Sequence, residues 1–172
     1  MRCYHLANFY LPGIHAGIQS AHVQHELAIK YLQDDDADES QAEMYKEWVF
    51  NHKTIIVLNG GWQASLQEWV QFLSSNEHPF AWAHFHEEQD ALNGALTNVG
   101  VVLPQHIYGV SRELRDGGRP GVSNEIQLPS GDVLALHGCS ASLLCGTTGH
   151  ILHVYTPFEL ELIQRIGRLG LM

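Results

Sequence analysis

Two imidazoles, an amide and a carboxylate lie along one line of the stretch LPGIHAGIQSAHVQHE: His15, Gln19, His22 and Glu26. Their spacing of i, i+4, i+7 and i+11 makes them neighbours on one face of a helix that begins after Pro12-Gly13. Beside them Ile14, Ile18, Ala21, Ala28 and Leu32 keep an apolar stripe, as in an ordinary amphipathic helix. A helix entered from a strand through a Pro-Gly turn aims its unpaired amides into the crevice at the strand's carboxyl end, where α/β sheets bind ligands. Those amides favour an anion or a developing oxyanion, and His15 in the first turn can reach the same place.

Two later segments bring polar groups to that edge. HFHEEQD, His84 to Asp90, closes one strand with Glu87, Glu88 and Asp90, and Thr97 opens another. An imidazole, a carboxylate and a hydroxyl near a helix N-terminus can activate water and stabilise a tetrahedral intermediate. Each group also has a plainer reading. His22 fits a hydrogen-bonded position at a helix–sheet boundary, Gln19 a cap, the acids a solvated loop, and Thr97 a residue favoured in strands. A zinc reading of His22, His25 and Glu26 lacks the H-E-x-x-H order and a fourth ligand. No Walker loop, G-x-S-x-G elbow or dinucleotide fingerprint occurs.

The elements that must position these groups alternate. Arg2 to Tyr10 reads as a strand, and a helix runs from about Gly13 to Gln33 into the acidic run DDDADE. Ser40 and Glu43 have the spacing of a capping box for a shorter helix, QAEMYKEWVF. KTIIVLN, Lys53 to Asn59, suits a strand buried on both faces, and Gly60-Gly61 lead to a helix marked by Leu66, Trp69, Val70 and Leu73. PFAWAHFHEE and LTNVGVVLP, Leu96 to Pro104, give two more strands. The order predicts an α/β protein, a mixed sheet with helices on both faces.

Residues 105 to 155 differ in character. SRELRDGGRPG reads as a flexible basic loop, and EIQLPSGDVLAL as a hairpin turning at Pro129-Ser130-Gly131. HGCSASLLCGTTG is small and polar apart from Leu143-Leu144, and ILHVY is a last strand. Thr156, Pro157 and Glu159 then start a closing helix at N-cap, N1 and N3. The chain is expected to be one α/β domain, residues 1–172, with a β-rich insertion over 105–155 and a closing helix over 156–172.

Composition bounds the function. Nineteen acidic residues against nine basic ones leave a formal charge of −10, which argues against general nucleic-acid binding. At 45% hydrophobic residues the chain can build a core, yet no apolar run approaches a membrane span and no signal peptide is visible. Cys3, Cys139 and Cys145 lack metal-ligand spacing and read as reduced, partly buried thiols of a cytoplasmic protein.

Three collinear stretches resemble the second peptidyl-tRNA hydrolase family, the archaeal and eukaryotic type, and its short bacterial relatives. PGIHAGIQSAH matches that family's first helix through Gln19-Ser20-Ala21-His22. WVFNHKTIIVLN, continuing into the helix with Trp69, matches the second strand and its helix; FHEEQDALNGALTNVGVVLP matches the third and fourth strands with their acidic loop. The resemblance covers residues 1–104 and extends to the last helix. It implies a four-stranded mixed sheet, usually a homodimer, and hydrolysis of the ester between a peptide and the 3′ end of tRNA, without metal or organic cofactor. Gln19 and His22 would then line the site, Glu87 or Asp90 would stand at the acidic position, and Thr97 with helix amides would meet the carbonyl oxygen.

The chain departs from that family at the turn, where its lysine has His15 as nearest counterpart, and it holds only three lysines. Arg112, Arg115 and Arg119 could replace the missing basic surface or merely balance Glu113 and Asp116. The alternative function is a member of the same fold that has lost the chemistry and binds a protein or small ligand through the inserted region. A metal-dependent enzyme built on the histidines is a third class.

Overall fold

The computed structural model describes residues 1–120 and 124–172. Gly121, the end of the expected basic loop, lies outside them. The chain divides into two compact units, Met1–Leu103 with Leu169–Met172, and Pro104–Arg168.

The first unit holds β1 (Arg2–Ala7), α1 (Gly13–Ala28), α2 (Glu39–Glu47), β2 (Ile55–Asn59), α3 (Gln63–Ser74), β3 (Trp82–His86), α4 (Gln89–Leu92) and β4 (Leu96–Leu103). Its sheet has the order β2-β1-β4-β3. β1 runs parallel to β2 and antiparallel to β4, which is antiparallel to β3. This is the expected mixed four-stranded sheet with helices on both faces. All eight residues of β4 are buried, as a central strand requires.

β2 departs from its apolar composition. The apolar run predicts cover on both faces, but of its five residues only Leu58 is buried and Ile55 is exposed, and the strand lies at the sheet's edge. An apolar run carries no information about which neighbour is missing.

α1 is longer than its regular part, since Ile29–Gln33 continues it as a π-helical turn. It meets the sheet with Ala16, Gln19, Ser20, Val23 and Leu27, not with the stripe the spacing would bury. Ile14 is 75% and Ile18 48% exposed, and Ile29 and Leu32 also face outward. Two rows compete on this helix, and the one that sets Ala16, Ser20 and Val23 against the sheet wins because these side chains allow close approach. Gly100 of β4 shows the need: a Cβ there would come within 2.6 Å of Val23 Cγ1 and 3.3 Å of His5 Cε1. Gly100→Ala is expected to destabilise by about 1–3 kcal/mol through this overlap, read as a lowered midpoint in urea with an unchanged slope.

α2 is capped by Asp38, whose carboxylate accepts from Gln41 N at 2.9 Å and from Ser40 Oγ at 2.8 Å. The expected Ser40–Glu43 box is therefore displaced. The carboxylate two residues earlier is the stronger acceptor, and it draws Ser40 into the helix. A second π-helical turn, Trp48–His52, ends this helix at Lys53 in the left-handed region. Tyr31, Tyr45 and Trp48 from these segments join Val23, Leu27 and Val102 in one buried cluster.

The second unit holds α5 (Gln105–Gly117), β5 (Arg119–Pro120), β6 (Glu125–Gln127), β7 (Val133–His137), β8 (Ser140–Leu144), β9 (Ile151–Tyr155) and α6 (Pro157–Gly167). The five strands form an antiparallel meander in sequence order. The expected hairpin is β6–β7, with Gly131 at φ +92° in its turn. One expectation fails. SRELRDGGRPG is mostly helix, because Ile107, Val110 and Ser111 form a buried row at helical spacing that outweighs the glycines. The small, polar stretch contains β8, whose Ala141, Ser142 and Leu143 are buried.

α6 has both halves of the expected capping box, Glu159 N to Thr156 Oγ1 at 3.2 Å and Thr156 N to Glu159 Oε2 at 2.8 Å. It packs on α5, β8 and β9, so the second unit extends beyond the expected insertion to include this helix. Among the described residues no helix is long and apolar enough to cross a membrane.

Candidate functional site

Strand alternation predicts that Thr97 and Asn98 point to opposite faces of the sheet. They do not. Phe85 of β3 opposes Asn98, but His86 opposes Leu96, so Thr97 is a surplus residue in β4. Such a bulge re-aims side chains at a sheet's edge. Both Thr97 and Asn98 consequently reach α1. Thr97 Oγ1 donates to Gln19 Oε1 at 2.7 Å, and Asn98 Nδ2 donates to Ser20 Oγ at 3.1 Å.

The chain of donors continues outward. Gln19 Nε2 donates to Glu87 Oε1 at 2.5 Å, so one amide joins the buried hydroxyl to a half-buried carboxylate. Because Thr97 gives its proton to the amide oxygen, the amide nitrogen must face Glu87, and the carboxylate is held at a fixed place. His22, one helical turn from Gln19, lies flat against Phe85 with ring centroids 4.5 Å apart and is half exposed.

The structure thus brings together Gln19, Glu87 and Thr97, with His22 on the same helix face. Asp90 stands exposed in the first turn of α4, and the carboxylate Gln19 meets is Glu87. His15 is exposed on the first turn of α1, four residues and about 6 Å of helix rise before Gln19. Thr97 is 0% exposed and spends its proton on Gln19, so it positions the amide; the expected contact with a substrate carbonyl is not available to it. Arg112 and Arg115 belong to α5 and both meet Asp116, at 3.6 and 3.0 Å, while Arg119 is exposed in β5. Their pairing is of the solvent-exposed kind that contributes little to stability.

Behind Gln19 lies a polar network that the sequence reading missed. His5 of β1 is wholly buried; its Nδ1 donates to Asn98 Oδ1 at 3.3 Å, and its Nε2 accepts from Gln24 Nε2 at 2.6 Å. This assignment follows from the network, since the Asn98 amide already donates to Ser20. Burial lowers the His5 pKa to about 4, against a smaller opposing effect of the Asn98 hydrogen bond. Burial also pushes the Cys3 thiol up to about 12, so it is inert at neutral pH. The available signal was polar residues inside apolar strands, His5 in CYHLA and Asn98 in LTNVGVVL, which require buried partners.

Among the described residues, the ligand-type side chains that converge are His106, His153 and Glu159 of the second unit, not His22, His25 and Glu26. No known family model matches the sequence, and no curated protein matches it.

Proposed function

We propose that the first unit is a hydrolase of the second peptidyl-tRNA hydrolase type, cleaving the ester between a peptide and the 3′ end of tRNA. The observation that carries this reading is the hydrogen-bonded chain Thr97–Gln19–Glu87 at the sheet edge beside His22. The mixed four-stranded sheet supports it at the level of general topology.

In this reading Glu87 takes a proton from the water that attacks the ester carbonyl, and Gln19 and Thr97 hold its carboxylate in place. His22 offers an N–H to the oxygen on which charge develops. The proton passes from Glu87 to the departing 3′-oxygen, leaving a free peptide carboxylate and a tRNA hydroxyl. No cofactor enters these steps. The same reading carries a homodimer, which light scattering on the purified chain measures.

Purified protein is expected to deacylate N-acetyl-aminoacyl-tRNA, and His22→Ala to lower kcat about 10²-fold. Turnover unchanged by that substitution removes His22 from the site. A second reading, a protein- or small-ligand-binding module acting through residues 105–155, is favoured by the charge of −10 and by Arg112 and Arg115 being committed to Asp116. It is distinguished by absent turnover together with tRNA affinity that is undetectable or indifferent to salt, since phosphate contacts weaken steeply as salt rises.

A further inference from the structure

We propose that His106, His153 and Glu159 form a binding site for a borderline divalent transition metal, with zinc as the reference ion. The three residues come from three elements of one unit: the first turn of α5, the middle of β9 and the first turn of α6. One oxygen, Glu159 Oε1, stands 3.8 Å from His106 Nε2 and 3.5 Å from His153 Nε2. One ligand atom from each residue lies within 4.8 Å of the other two. Two ligands bound at about 2.0–2.1 Å in a tetrahedral shell are about 3.4 Å apart. The observed separations suit an ion between them better than direct hydrogen bonds, which need about 2.7–3.2 Å.

Three further features fit a ligand set. His153 Nε2 is shielded from solvent and has no hydrogen-bond partner; its approach to Glu159 is misaligned for one. Such a buried polar atom calls for an explanation, and an ion supplies it. Glu159 is held by its other oxygen, because Oε2 accepts from Thr156 N in the capping box and leaves Oε1 turned to the imidazoles. An outer hydrogen bond of this kind orients a ligating carboxylate. Tyr155 OH donates to the carbonyl of His106 at 2.8 Å, fastening the start of α5 beside β9.

The chemistry of the set selects the ion. Two imidazoles and one carboxylate suit zinc, cobalt or nickel, whereas magnesium and calcium prefer oxygen alone. Three protein ligands leave a fourth position for water or a further ligand. The imidazole rings lie 4.1 Å apart with 28° between their planes, so loading requires a small rotation of one ring toward the shared oxygen. Bound there, the ion ties the starts of both helices to the last strand.

The test uses the full chain stripped with chelator and titrated with ZnCl2, with Co2+ absorption as the report on coordination. One equivalent is expected to bind, to give visible bands of four-coordinate cobalt, and to raise Tm by about 5–10 °C at 100-fold excess over Kd. Glu159→Gln keeps the capping box, because glutamine also serves at N3, yet removes the anionic ligand; it and His153→Gln should each weaken binding more than 10-fold and abolish the cobalt bands. His25→Gln, in the other unit, should leave both unchanged. Failure of the wild-type chain to bind one equivalent overturns the proposal, as does binding that Glu159→Gln and His153→Gln leave intact. An unaltered metal-free Tm for Glu159→Gln shows that its loss of binding is not a loss of fold.

Discussion

Glu87→Gln is expected to lower the rate of N-acetyl-aminoacyl-tRNA hydrolysis by about 10²–10⁴-fold, the range for removal of a general base. That is about 3–5 kcal/mol of barrier. Glutamine at 87 keeps the size of the side chain and an oxygen that can accept from Gln19 Nε2, so the network of α1 and β4 survives and the loss is chemical. Two companion variants separate chemistry from positioning. Thr97→Val leaves Gln19 Oε1 without its donor and frees the amide to turn, and Thr97→Ser restores a hydroxyl at the same depth. Activity should fall in the first and return in the second. Steady-state kinetics with circular dichroism of each variant checks all three, and full activity in Glu87→Gln excludes that carboxylate as the base.

Acidification is expected to cost the fold about 3 kcal/mol through one residue, His5. Its pKa is about 4 in the folded chain against an ordinary value of 6.5, so between these limits the unfolded chain binds more protons than the folded one. Stability from this group is therefore complete above pH 6.5, is lost as the pH falls toward 4, and is constant below. The physical cause is burial first. The Nδ1 hydrogen bond to Asn98 opposes it and is the smaller effect. His5→Gln removes the titration while keeping a polar side chain beside Asn98. Between pH 7 and pH 4 the unfolding free energy of the wild type, from urea titration, should fall by about 3 kcal/mol relative to that of His5→Gln; parallel curves would mean that His5 binds protons alike in both states.

The framework was legible because strong local patterns agreed with the tertiary result. β1, α3, β4 and the Thr156–Glu159 cap carry turn residues, apolar periods or a capping sequence that no neighbour contradicts. Gln19, His22, Glu87 and Thr97 were legible as residue types collected at one edge. The choice of Glu87 over Asp90 was not, since both lie in the same acidic loop and only the path of the chain after β3 decides which one meets α1. The buried face of α1 was misjudged for a similar reason. Its isoleucines outscore Ala16, Ser20 and Val23 in hydrophobicity, but the sheet selects for closeness at Gly100. The metal-type cluster had no recognisable local signature, because His106 joins it from α5, a distant element, and the pairing of His153 with Glu159 across the start of α6 matches no metal-ligand spacing.

The surplus residue in β4 makes the site depend on parity. If the segment between Asn93 and Leu96 were one residue shorter, β4 could run in even register against β3, and Thr97 would turn its hydroxyl to the far side of the sheet while every side chain named above remained in the chain. Gln19 would then have no fixed orientation to pass on to Glu87. Among chains built on this plan, a single deletion there would be a deeper change than any conservative replacement at Gln19, Glu87 or Thr97, and a count of residues would sort competent from incompetent versions before their identities were compared.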